Sequence, residues 1–130
     1  MRFLVVVVAL AACGSSSPSQ VNTCVTKGAS YLVSFSEQSG GTCGPLTSQV
    51  VNVPSDGMIQ GGSSCSSSEA TGCMQRNSGC MTSSMGINCD VTTSVTFASD
   101  GTTGAGLYTA TCSNSSASCT STYDVTYARQ

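Results

Sequence analysis

The chain has 130 residues, with nine cysteines, no tryptophan, no histidine and a formal net charge of −2. Without histidine there is no Ser/His/Asp or Cys/His triad and no histidine-ligated zinc site. The four basic residues are scattered, which excludes the clustered Lys/Arg surface that nucleic acid requires. Aromatic residues make up only 5% of the chain, so a single small domain must form around a thin core, and covalent help is expected.

In chain order, Arg2 is followed by an apolar run over residues 3–10, closed by Leu10-Ala11-Ala12-Cys13. This is the layout of a secretory signal peptide, with small residues ahead of a cleavage point. The run falls far short of the ~20 apolar residues that span a bilayer as a helix. A cysteine directly after the small pair resembles the lipobox of bacterial lipoproteins. That resemblance implies export, removal of residues 1–12, acylation of Cys13 and attachment to the cell envelope. Gly14 stands where an inner-membrane retention signal often places Asp, which points to the outer membrane. Several acyl chains anchor a protein firmly, whereas one binds only marginally.

Residues 13–20 then read as the lipidated cysteine and a Ser-rich tether, and residues 21–130 as one domain. Tyr31, Val33 and Phe35 alternate with Leu32, Ser34 and Ser36, the pattern of a strand with one buried face. A second β-branched run at residues 49–53 ends in the turn sequence Pro54-Ser55-Asp56-Gly57, and Met58-Ile59-Gln60 suggests a short strand beyond it. Residues 63–89 hold four cysteines, many serines and little periodicity. They read as an irregular, disulfide-stapled excursion, with room for a turn or two of helix at residues 69–75. Within them Gly72-Cys73-Met74 recurs as Gly79-Cys80-Met81.

The last third is the clearest part of the sequence. Val91, Thr93, Val95 and Phe97 share one face, and Ser99-Asp100-Gly101 signals a hairpin. The return run reaches Cys112, with a bulge expected at Gly104-Ala105-Gly106. Cys119, Ser121, Tyr123, Val125 and Tyr127 then alternate with polar residues. These runs predict an all-β fold: a small, disulfide-rich antiparallel β-sandwich or barrel carrying the Cys-rich irregular segment.

With Cys13 assigned to lipid, eight cysteines remain: Cys24, Cys43, Cys65, Cys73, Cys80, Cys89, Cys112 and Cys119. An exported chain meets an oxidising compartment, so they read as four disulfides. Sequence alone leaves on the order of a hundred connectivities open. One candidate pair is Cys112 with Cys119, which bracket a polar loop between two strand-like runs.

Reactive constellations are scarce. Lys27, the only lysine, lacks Ser-x-x-Lys spacing and reads as a surface residue. Asp56 and Asp100 precede glycine in turns, where Asp serves its own backbone, and Asp124 falls on a polar strand face. No Cys-x-x-Cys occurs, which leaves no thioredoxin-type pair and no zinc ribbon. Met74, Met81 and Met85 near Cys73 and Cys80 offer soft donors suited to copper, but without Met-x-Met clustering. Asn114-Ser115-Ser116 fits a glycosylation triplet and carries little weight in a bacterial lipoprotein. Tyr31, Phe35, Phe97, Tyr123 and Tyr127 read as core before they read as a ligand pocket. Thr92, Thr96, Thr120, Thr122 and Thr126 suit a solvated sheet face.

The sequence therefore predicts a lipid-anchored envelope protein, structural or adhesive and not an enzyme. No cofactor and no metal are expected. Its partners would be the membrane, through the anchor, and an envelope protein or carbohydrate bound through the Cys-rich segment. A periplasmic or outer-membrane copper or small-ligand binder is the alternative, and a hydrolase using two carboxylates is the third class.

Overall fold

Serine, threonine and valine dominate this chain and favour extended backbone over helix. The computed structural model describes residues 23–53 and 65–130, among which there is no helix. Cys13, the signal segment, the tether, the Pro54-Ser55-Asp56-Gly57 turn and the Met58-Ile59-Gln60 run lie outside the described residues. Seven strands are present: β1 Ser30–Glu37, β2 Gln49–Asn52, β3 Ser67–Thr71, β4 Met74–Ser84, β5 Ile87–Phe97, β6 Thr103–Ser113 and β7 Ser118–Arg129. They form one sheet in the order β2-β1-β7-β6-β5-β4-β3, with every neighbouring pair antiparallel. The sheet curls into a half-barrel, which is the all-β, disulfide-rich architecture the alternation predicts.

Register sets out the concave face in rows across β5, β6 and β7. At one end Phe97, Gly104 and Tyr127 stand side by side, and β1 adds Val33 to the row. Further along, Thr93, Tyr108 and Tyr123 share a row, followed by Val91, Ala110 and Ser121. The last row is Cys89, Cys112 and Cys119. The five predicted core aromatics are buried or half-buried, and with Tyr108 they form two groups of three rings. Tyr31, Phe97 and Tyr127 meet at centroid distances of 5.4–6.5 Å, and Phe35, Tyr108 and Tyr123 at 5.2–6.3 Å. Such edge-to-face pairs each add about 0.5–1.5 kcal/mol beyond the area they bury.

The expected bulge at residues 104–106 is absent, since β6 keeps unbroken register with both neighbours. The glycines there answer a packing need. A Cβ on Gly104 would stand 2.7 Å from the Phe97 ring, and one on Gly106 would meet the backbone of Ser94 and Val95. The real bulge lies in β4, where two residues between Asn77 and Cys80 face the one residue of β5 between Thr93 and Val91. Gly79 sits within it at φ +61°. This extra residue switches the side-chain alternation, so Cys80 points inward and Met81 outward.

The Cys-rich stretch is thus regular, contrary to the irregular excursion and the turn of helix read from sequence. Residues 69–75 run from β3 through a tight turn at Gly72 into β4, and Ala70 and Gln75 supply the buried side chains. The repeated Gly-Cys-Met does have a structural counterpart. Both glycines take left-handed backbone, Gly72 in the turn and Gly79 in the bulge, and both cysteines enter disulfides.

Residues 23–29 cross the aromatic end as a strap. Its own Val25 is buried in the core, and the Tyr31 hydroxyl donates to the Gly101 carbonyl at 2.5 Å. Tyr31 also accepts from the Thr26 amide at 3.2 Å. The strap ends at the Cys24–Cys73 disulfide, which ties the approach to β1 to the β3–β4 turn at the far side of the sheet. Covalent bonding here links the two sides of an open sheet that no strand pairing closes.

Candidate functional site

The cysteine row at the other end is built from three independent local structures. First, the β5–β6 hairpin places Cys89 directly opposite Cys112, and these two are bonded, closing a loop of 23 residues. Second, the β6–β7 turn places Cys112 opposite Cys119. That turn is held by Asn114, whose Oδ1 accepts from the Ser116 and Ala117 amides at 2.9 and 2.8 Å. Third, the chain after β1 carries Cys43 to Cys119, and that disulfide closes a separation of 76.

Hydrogen bonds that do not depend on the disulfide fix Cys43 in position. The Gln38 amide donates to Thr122 O at 2.8 Å, and the Thr42 amide to Thr120 O at 3.2 Å. The Cys43 amide donates to Ser121 Oγ at 2.8 Å, and Ser121 Oγ donates to Glu37 Oε1 at 2.5 Å. The same Glu37 oxygen accepts from the Gly44 amide at 3.1 Å, while the Tyr123 hydroxyl donates to Gly44 O at 2.6 Å. A Cβ at Gly41 would run into the Glu37 carboxylate and stand 2.7 Å from Ser121 Oγ, so a larger residue there displaces this network.

As a result the Sγ atoms of Cys43, Cys112 and Cys119 all lie within 4.8 Å of one another, each half-buried. A groove of about 260 Å³ opens beside them, lined by Thr42, Ile87, Asn114 and Ala117 together with Cys112 and Cys119. Among the described residues this is the one group of three potential metal ligands, and all three sulfurs are held in disulfides. A disulfide sulfur has no negative charge to offer a cation, but it can be attacked by a thiolate.

All eight cysteines expected to form disulfides do so, as Cys24–Cys73, Cys43–Cys119, Cys65–Cys80 and Cys89–Cys112. The candidate pair Cys112 with Cys119 is overturned. The two residues face each other across the hairpin, yet each is bonded elsewhere. Hairpin arithmetic contained the other answer. Counting back from the Ser99-Asp100-Gly101 turn through Phe97 opposite Gly104 sets Cys89 against Cys112.

The soft-donor set does not converge. Met74 and Met81 sit seven residues apart on β4, about 20 Å at strand spacing, and both point outward. Met85 lies at the β4–β5 turn, 98% exposed, with φ 51°. Cys73 and Cys80 are bonded to Cys24 and Cys65.

Two of the candidate carboxylates, Asp100 and Asp124, are engaged in hydrogen bonds. Asp100 accepts from the Thr102 amide at 3.0 Å and from its hydroxyl at 2.7 Å, and these bonds hold its pKa below the ordinary value. Asp124 is exposed and accepts from Gln38 Nε2 at 3.1 Å. Lys27 is exposed on the strap. Burial, followed by the neighbouring Tyr108, pushes the Tyr127 phenol up to about 12. The Tyr108 phenol is raised by burial and then by Tyr123. On the outer face Thr109 meets Thr122, and Thr111 meets Thr120, each pair with hydroxyls 3.3 Å apart. No family model, no curated protein and no solved structure matches this chain.

Proposed function

We propose that this chain is an exported, lipid-anchored scaffold of a bacterial cell envelope, held at the outer membrane through Cys13 and acting by binding, not by turnover. The observation that carries the reading is the cysteine balance. Eight cysteines of the domain close on one another, and the ninth, Cys13, stands at the lipobox-like Leu10-Ala11-Ala12-Cys13. Four disulfides require an oxidising compartment to form and persist, which agrees with export. The engagement of Glu37, Asp100 and Asp124 in local hydrogen bonds supports binding over acid–base chemistry.

The binding surface in this reading is the β3–β4–β5 part of the sheet. Its outward residues include Met81 and Ile87, about half exposed, and the protruding Met85. Rigid strands present these flexible apolar side chains, which adapt readily to a partner surface. The partner is another envelope protein or a carbohydrate. Replacing Cys13→Ser tests the anchor: the protein is expected to move from the membrane fraction to the soluble fraction and to lose its lipid mass. Unchanged fractionation would overturn the lipid reading.

A further inference from the structure

A disulfide that only staples a fold needs no second disulfide beside it. Here Cys43–Cys119 and Cys89–Cys112 abut, so three of their four sulfurs are mutually within 4.8 Å. A thiolate released from the first bond therefore stands beside a sulfur of the second. The groove of about 260 Å³ gives outside molecules access to Cys112 and Cys119. Its size is below the roughly 300–1,000 Å³ of sites for drug-sized ligands, and suits a small thiol better than a protein side. The bonds from Gln38, Thr42 and the Cys43 amide to β7 hold Cys43 in place whether or not its sulfur is bonded.

We propose that this cluster is a thiol–disulfide exchange site that accepts a small aliphatic thiol and passes the displaced thiolate along the row. The incoming thiolate attacks Cys119 Sγ, forms a mixed disulfide there and breaks the bond to Cys43, which leaves as a thiolate. Cys43 Sγ then attacks Cys112 Sγ, forming Cys43–Cys112 and breaking Cys89–Cys112. Cys89 leaves as a thiolate and takes up the proton that the incoming thiol gave up. Each step makes one S–S bond and breaks one, so no outside oxidant or reductant is consumed. The result is a thiol captured on Cys119 and a free thiol at Cys89. Cys24–Cys73, at the aromatic end, stands apart from this cluster and serves as the internal control, while Cys65–Cys80 packs against the same buried group as Cys89 and Cys112.

The test incubates the full chain with reduced glutathione at pH 8, traps thiols with N-ethylmaleimide and maps peptic peptides without reduction. The expected products are glutathione on Cys119, a Cys43–Cys112 cross-link and maleimide on Cys89. Glutathione spread evenly over all four disulfides, or maleimide on Cys43 alone, overturns the proposal. A second arm uses Cys119→Ser, which leaves Cys43 without its partner and needs no added thiol. Maleimide is expected to divide between Cys43 and Cys89, with Cys89 labelling several-fold above the untreated parent chain. Labelling confined to Cys43 overturns the relay. If the variant misfolds, the parent-chain arm still decides.

Discussion

The two ends of the half-barrel share strands of similar length but are held together by different physics. At the aromatic end Tyr31, Phe97 and Tyr127 pack ring against ring beneath the strap, with Val25, Val33, Val53, Val95 and Val125 around them. At the cysteine end the buried cluster among the described residues is Cys80, Val91 and Ala110, edged by cystines and Tyr108. A fully buried large side chain contributes roughly 1.5–3 kcal/mol by leaving water, which small residues cannot match. Closing a loop of 15 residues in the unfolded chain contributes about 3 kcal/mol, and longer loops contribute more. Disulfides thus stand in for core volume where the chain has little to bury. Of the four disulfides, a change in redox state can undo three at the cysteine end and, at the aromatic end, only the strap's Cys24–Cys73.

Three perturbations should separate the two ends. The largest effect is expected from Phe97→Ala, which empties the centre of the first ring group and should cost about 3–5 kcal/mol in chemical denaturation with all disulfides intact. A loss under 1 kcal/mol would show that the rings add little to the fold. Next is the double replacement Cys89→Ala and Cys112→Ala, which opens the 23-residue loop and should cost about 3 kcal/mol. The hydrogen-exchange protection lost should lie at the β6–β7 turn, not under the strap; uniform loss would erase the distinction between the ends.

The smallest effect is alkaline and belongs to the aromatic end. Tyr127 titrates near 12 when folded, against an ordinary value of 10.0. Between those values the folded state binds more protons than the unfolded one, so stability is fully present below pH 10 and declines as pH rises toward 12. Tyr127 should supply about 2 kcal/mol of the decline, which shrinks by that amount in Tyr127→Phe and keeps the part due to the raised Tyr108. An identical alkaline decline in that variant would assign the effect to other groups.

The aromatic end was largely legible in the sequence. Val95 and Phe97, like Tyr123, Val125 and Tyr127, keep strict alternation because inward residues are apolar and outward ones polar. The strand pair β3–β4 was hidden for two physical reasons. Its inward residues Gln75 and Asn77 are polar yet buried, so hydrophobic periodicity gives no signal. The bulge at Gly79 then shifts the alternation within a single strand. The eight disulfide-forming residues could be read from composition and compartment, but their pairing depends on register between distant strands. Cys112 lies opposite both Cys89 and Cys119, so local spacing suggested one partner and the fold uses the other. The position of Cys43, set by Ser121 and Glu37 across 78 and 84 residues of sequence, left no local trace.

The strap also has a mechanical consequence. A pull applied to the N-terminal side of Thr23 reaches Cys24 and passes straight into the β3–β4 turn through the bond to Cys73. The 49-residue loop between those cysteines, which contains β1, β2 and β3, lies off the line of force. From that side the sheet cannot be unzipped strand by strand through its hydrogen bonds, because the load path is covalent until it enters β4.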